Sequence, residues 1–420
     1  MGGRANVLLI GTADTKSPEL MFLRDCIVES GGSAIFMDVG VLAGGAYRPD
    51  ISNAEIAAAA GTDLDSIKAS GDENSAMAKM AEGAAALAAR MHADARIDGM
   101  LALGGTMGTD LALDVAAALP LGVPKCVVST IAHSHLVPPE RVTPDLMTVL
   151  WAGGLYGLNA ICRSALAQAA GAIVGACRAA RPPKGERPLV GMTSLGNSCL
   201  SYMKRLLPAL EQRGYEVAVF HTTGMGGRAF EALAAEGRFC AVMDFSLQEL
   251  ANHHAGSVVT AGPTRLEAAG ARGVPQIVAP GAIDMIDFPA WRPDEMAAQA
   301  RGFHAHNRLI ASIAATGDER RGVARLIAEK IARAKGPVAY LLPTGGVEAW
   351  DRPGEPLHDP DALAAFLEEA RRSAPSNARL IELDAHINDA AFSDATLALF
   401  DAWVSTGIVP AARGEAATPR

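Results

Sequence analysis

Two short runs in the N-terminal half carry residue types that hold phosphate. Gly11-Thr12-Ala13-Asp14-Thr15-Lys16 offers backbone N–H groups, two hydroxyls, a carboxylate and an ammonium. It follows the apolar run Val7–Ile10 and precedes Ser17-Pro18-Glu19, a helix-opening sequence. Gly104-Gly105-Thr106-Met107-Gly108-Thr109 sits in the same context, and its three glycines let a ligand approach the backbone closely. Ser129-Thr130 ends a further apolar run. Neither loop is a GxxxxGK[ST] or GxGxxG motif, so ordinary strand-to-helix turns remain the structural alternative. Asp38 ends the second apolar run, where a carboxylate can hold a ribose hydroxyl or cap the next turn. Asp14 is the carboxylate placed to accompany Mg²⁺ if phosphate is transferred.

The C-terminal half has its own cluster. In His221-Thr222-Thr223-Gly224-Met225-Gly226-Gly227-Arg228 an imidazole, two hydroxyls, three glycines and a guanidinium lie within eight residues. His221 can act as general base, and Thr223, Gly226, Gly227 and Arg228 can hold an anion; a glycine-rich turn with a structural arginine is the alternative. Asp284 and Asp287, and His304 and His306, are two further pairs of ionisable side chains. His304 is a second candidate base, and Asp284 and His306 are candidate ligand contacts. Without a third group at a characteristic spacing they read as hydrogen-bonding residues, and no metal site is assigned.

The elements that position these residues repeat as strand, glycine-containing loop and helix. The sequence places strands at Val7–Ile10, Ala34–Val39, Ile97–Leu103 and Lys125–Ser129. A Ser52–Glu55 capping box opens one helix, and 157–180 is a long Ala-rich helical stretch. The pattern stops at the Pro-, Gly- and charge-rich stretch 181–188 and then restarts. Strands follow at Leu189–Thr193, Glu216–His221, Cys240–Phe245, Gln276–Ala279, Val338–Leu342 and Leu380–Leu383. This alternation implies an α/β fold of two Rossmann-like, doubly wound domains with mainly parallel sheets. The expected domains are residues 1–180, the candidate nucleotide-binding domain, and 189–410, joined by the 181–188 linker and followed by a 411–420 tail. A gapless shift of 183 residues lays Gly11 on Ser194, Gly31 on Gly214 and Asp38 on His221, a weak internal repeat.

Composition narrows the classes. With 420 residues, half of them hydrophobic, the chain can bury two cores, and disorder is excluded. A net charge of −9 without a dense basic run argues against a nucleic-acid partner. Six scattered cysteines with no CxxC pair point to a reducing compartment. The most apolar stretch, Ser164–Cys177, falls short of the roughly 18 residues of a span, so the expectation is a cytoplasmic protein with no membrane partner.

Taken together and in order, these motifs resemble the uncharacterised bacterial protein family that shares its ATP-binding module with the tomato mosaic virus resistance protein. The carriers are Ile10 to Lys16, Leu103-Gly104-Gly105, Gly108-Thr109, Pro124-Lys125 and Ser129-Thr130. They continue with Phe220-His221, Thr223-Gly224, Gly226 to Ala229, Gly281-Ala282, Asp284-Met285, His304, His306-Asn307 and His386 to Ala390. The resemblance implies ATP held by the N-terminal domain and a homodimer. One position departs: Thr106-Met107-Gly108 stands where the family has Ser-Gly-Gly. Two function classes follow. One is an ATP-binding protein, with Mg²⁺ as the accompanying ion and an unidentified small molecule as second ligand. The other is a metabolic enzyme acting on a phosphorylated or carboxylated substrate between the domains.

Overall fold

The computed structural model describes residues 4–42, 47–181, 185–291 and 303–412. Residues 182–184 of the expected linker and 413–420 of the expected tail lie outside the described residues. The chain forms two compact units, Met1–Pro183 and Lys184–Arg420.

Unit 1 is a five-stranded parallel sheet of β1 (Asn6–Gly11), β2 (Ser33–Asp38), β3 (Gly99–Gly104), β4 (Lys125–Ser129) and β5 (Leu146–Leu150), in the order β2-β1-β3-β4-β5. Its main helices are α1 (Ala13–Glu29), α2 (Asn53–Ala59), α3 (Leu64–Lys68), α4 (Glu73–Ala93), α5 (Thr106–Ala118) and α6 (Ala160–Ala179). Strand side chains alternate between two buried faces, which is why the central strands read as unbroken apolar runs. Val7, Leu9, Leu101 and Val128 pack with α1 and α6, whereas Leu8, Ile10, Met100 and Val127 pack with α4 and α5. Helix α6 is long and apolar enough to cross a membrane by length and composition, and its Leu166, Ile173 and Val174 lie in the first of these layers.

Unit 2 repeats the arrangement and extends it. Strands β6 (Leu189–Ser194), β7 (Glu216–His221), β8 (Ala241–Asp244), β9 (Gln276–Val278), β13 (Val338–Pro343) and β14 (Ala378–Leu383) form a parallel sheet in the order β14-β13-β9-β8-β6-β7. Between β9 and β13 the chain inserts a small antiparallel sheet of β10 (Met285–Pro289), β11 (Phe303–Ala305) and β12 (Ile310–Ala314). The 183-residue shift maps the full lengths of β1 onto β6 and of β2 onto β7. In both units the chain leaves its first strand to pair on one side and then crosses to the other. This creates a crevice at the carboxyl ends of β1 and β3, and of β6 and β8.

Local differences from the sequence pattern have identifiable causes. Helix α1 begins at Ala13 rather than Ser17, because Asp38 accepts the Ala13 N–H at 2.8 Å. The helix is then interrupted at Lys16 (φ −129°, ψ 19°), just before Pro18, which has no N–H to offer. The 104–109 segment is mostly helix, since α5 starts at Thr106. The segment 281–287 follows β9 and reads as a loop, but its last three residues belong to β10, which leaves Asp284 just before the strand.

Helix α4 crosses α2 at Gly83, where any Cβ would overlap the Ile56 carbonyl oxygen. Gly83→Ala is expected to cost about 1–3 kcal/mol and to lower the melting midpoint of unit 1 by roughly 5 °C, read by calorimetry. An unchanged midpoint would contradict this packing.

Candidate functional site

The carboxyl edge of unit 1 gathers the loops after β1, β3 and β4. Gly11 ends β1, and a side chain there would collide with Leu20, 2.5 Å away. Thr12 and Thr15 hydrogen-bond to each other through their hydroxyls at 2.9 Å. Asp14 accepts the Leu42 N–H at 3.3 Å. Lys16 donates to the Leu155 carbonyl at 2.7 Å and lies 4.9 Å from the Tyr156 ring centroid. Asp38 is buried and accepts N–H groups from Ala13 (2.8 Å) and Gly40 (3.0 Å). It therefore serves as an internal anion at the start of α1, and burial pushes its carboxyl above the usual range.

The start of α5 differs. Gly104 must be glycine because a Cβ would sit 2.5 Å from the Gly108 Cα. Gly105 is the N-cap and supplies no side chain. Among the described residues, no protein acceptor takes the N–H groups of Thr106, Met107 and Gly108. The other helices of the unit are served by Asp38, Ser52, Asp63, Asp72 and Asn159. Among the described residues, α5 is the α-helix of this unit whose N-terminus is left open. Thr109 and Ser129 are buried beneath it, joined at 2.7 Å, and Thr130 is anchored by its N–H to the Gly104 carbonyl at 3.3 Å. Met107 is 42% exposed, so its side chain extends into solvent.

Unit 2 treats its glycine-rich loop in the opposite way. Gly224 adopts φ +97° at the start of α8 (Met225–Ala235), and Glu249 accepts the N–H groups of Gly224 at 2.6 Å and Gly227 at 3.2 Å. Beside it, Gly226 approaches the His221 carbonyl too closely for any side chain. A carboxylate of the chain itself thus occupies the place where the sequence suggests an external anion. Arg228 is buried and donates to the Thr260 carbonyl at 3.3 Å. Thr223 closes a tight turn onto the His221 carbonyl at 3.0 Å. Glu249 is balanced by the fully buried Arg265 at 2.8 Å, which also grips Asp244 through two nitrogens and reaches Glu231 at 3.3 Å. Burial raises the proton affinity of Glu249 and Glu231, and Arg265 opposes that rise.

His221 accepts the Gly196 N–H at 3.2 Å. The 183-residue shift maps this bond onto the Ala13–Asp38 bond of unit 1. Burial, then the neighbouring His306, pushes the His221 pKa down. The His304 ring lies 4.6 Å from that of Trp350, and the His306 ring lies 6.3 Å from it. Asp287 is taken up structurally by Ser312 at 2.5 Å. Asp284 is fully buried among Glu348, Asp351 and Arg320. Among the described residues, no group of three or more His, Cys, Asp or Glu is arranged to hold a metal ion.

Family comparisons agree with the two-unit division. The N-terminal domain of the uncharacterised protein family UPF0261 matches residues 5–182, and its C-terminal domain matches 187–404. The chain belongs to the UPF0261 family. A UPF0261 protein of Brucella melitensis is 58% identical over 403 residues, covering 96% of each chain. One from Clostridium tetani is 34% identical, covering 92% of this chain and 96% of its own. The ToMV resistance protein Tm-1 of Solanum lycopersicum is 30% identical, covering 94% of this chain but 55% of the tomato protein.

The sequence pattern does not single out Glu249, Arg265, Arg320, Glu348 or Asp351 of this UPF0261 chain. Arg320 lies in the run Asp318-Glu319-Arg320-Arg321, which reads as a solvated helix face; burial alone distinguishes it. Burial and mutual repulsion push Asp284 up to about 7 and Glu348 up to about 9. The folded unit therefore binds protons that the unfolded chain releases from the ordinary values of 3.8 and 4.5. The stability these protons confer is complete below those ordinary values and is lost as pH rises through the folded ones. His221 and His386 are pushed down and are neutral in that upper range. Unit 2 is therefore expected to melt progressively lower between about pH 7 and about pH 9, and Glu348→Gln should flatten the decline. Equal slopes in both proteins would contradict the assignment.

Proposed function

We propose that this chain is a cytoplasmic, homodimeric ATP-binding protein that receives the nucleotide phosphates at the N-terminus of α5. The observation that carries this reading is the open helix start. Three backbone N–H groups lie at the crevice of a parallel sheet, where the helix dipole favours an anion, and no side chain among the described residues serves them. Thr130, Thr12 and Thr15 add hydroxyl donors at the same sheet edge, and Asp14 is the carboxylate available to a magnesium ion. Asp38 and Lys16 already have partners within the chain, so backbone donors rather than a lysine carry the phosphate contact. The resemblance of the sequence motifs to a family with an ATP-binding module is what supports the choice of nucleotide. All six cysteines are free thiols, in keeping with a reducing compartment. A metabolic enzyme acting on a phosphorylated or carboxylated substrate is the second reading, and the buried acids of unit 2 favour it.

Gly105 suggests a direct test. A Cβ there would meet only the Thr130 hydroxyl, at 3.8 Å, so Gly105→Asp fits and places a carboxylate over the open donors. Calorimetric titration of the wild type with ATP, ADP and AMP, with and without Mg²⁺, should show saturable binding that weakens as phosphates are removed. Gly105→Asp should keep its fold and lose roughly tenfold or more in ATP affinity. Undiminished ATP binding by Gly105→Asp, or no binding by the wild type, would overturn the reading.

A further inference from the structure

Loops after β9 and β13 bring Asp284, Glu348 and Asp351 together in unit 2, and Arg320 joins them from α11 (Gly317–Ala332). All four side chains are 0–1% exposed. Three of the four are fixed by a bond to the backbone. Glu348 accepts the Trp350 N–H at 2.9 Å, Asp351 accepts the Val347 N–H at 3.1 Å, and Arg320 Nε donates to the Ala315 carbonyl at 3.1 Å. The surrounding backbone is equally constrained. Ala282 holds φ +57° and bonds to the Val347 carbonyl at 3.0 Å, and His386 Nε2 lies 2.8 Å from the Glu348 carbonyl oxygen. Asp284 and Glu348 lie within side-chain hydrogen-bond reach of each other, which requires a proton on one of them, and His358 Nδ1 lies 3.9 Å from Asp351 Oδ1. Yet both terminal nitrogens of Arg320 are buried with no hydrogen-bond partner. Buried polar groups are normally hydrogen-bonded, and Arg320, though attracted to Asp284 and Asp351, has no such bond at its two terminal nitrogens.

We propose that these four residues form a ligand site in unit 2 for a small carboxylate that carries a neighbouring hydroxyl. Arg320 presents two N–H-bearing nitrogens in the fork that matches a carboxylate. The acids supply both acceptors and, when protonated, donors, and a hydroxyl is the small group that satisfies both. The two unfilled nitrogens of Arg320 are what call for an anion, and burial, by raising the proton affinity of the three acids, lessens the repulsion a carboxylate would meet there. A metal cation would meet that same fixed positive charge. The site stands on unit 2 alone and is independent of the nucleotide reading.

The test is calorimetric titration of the full chain with glycerate, propionate and glycerol, which carry both groups, only the carboxylate and only hydroxyls. Glycerate should saturate the wild type, with the other two at least roughly tenfold weaker. Arg320→Met should lose roughly tenfold or more in glycerate affinity while its ATP titration stays that of the wild type. If Arg320→Met does not fold, Arg320→Lys, which keeps the charge and loses the fork, takes its place with the same expected loss. Absence of glycerate binding, equal binding of propionate, or wild-type affinity in the folded arginine variant would each overturn the proposal and leave the cluster a structural one.

Discussion

A helix that starts at the carboxyl edge of a parallel sheet leaves backbone N–H groups that need an acceptor, and both units are organised by how that need is met. Asp38 meets it at α1, reaching from the end of the neighbouring strand. Glu249 meets it at α8, and Glu231 accepts the N–H groups of Leu266, Glu267 and Ala268 at the next helical turn. Burying such carboxylates is costly unless they are paired. Arg265 is the shared partner: it contacts Glu249, Asp244 and Glu231 from one buried position and thereby ties α8 to the end of β8. Where the chain supplies no carboxylate, at α5, the same need is left for something outside the chain to meet.

The two sheets share a strand order and diverge in what they place at the equivalent edge. The carboxylate that ends β2 and the imidazole that ends β7 both accept an N–H from the loop after the preceding strand, and the bonds superimpose under the 183-residue shift. The geometry is retained while the chemistry changes. Unit 1 presents backbone donors and hydroxyls, a surface suited to phosphate. Unit 2 spends its own glycine loop on Glu249 and instead collects buried acids around one guanidinium. The antiparallel insertion β10-β12-β11 is an addition to unit 2, and it carries His304 into contact with Trp350, two residues from Glu348.

The parallel strands were readable because apolar runs of four to six residues separated by glycine loops have few other solutions. Strands β4 and β7 coincide with the apolar runs at both ends, and the Ser52–Glu55 capping box forms as the spacing implies. The edge strand β5 was not readable, since it is only half-buried, and the insertion was not readable because it breaks the strand–loop–helix rhythm with antiparallel pairing. Local conformation was legible where it depends on spacing, as in the close approach of Gly104 to Gly108. The chemistry was not legible where it depends on burial and distant partners. Lys16 reads as a phosphate ligand but reaches Leu155, and Arg320 reads as a surface charge but lies in the core. No local rule in the sequence reports that Glu249 has claimed the glycine loop 25 residues before it.

The central claim is that the open N-terminus of α5, not the closed one of α8, receives the phosphates. The most direct measurement is an amide-resolved NMR titration of the isotopically labelled chain with ATP. The account predicts that the amide signals of Thr106, Met107 and Gly108 move first and saturate together, while those of Gly224 and Gly227 stay in place. Movement of Gly224 and Gly227 with α5 unaffected would contradict it.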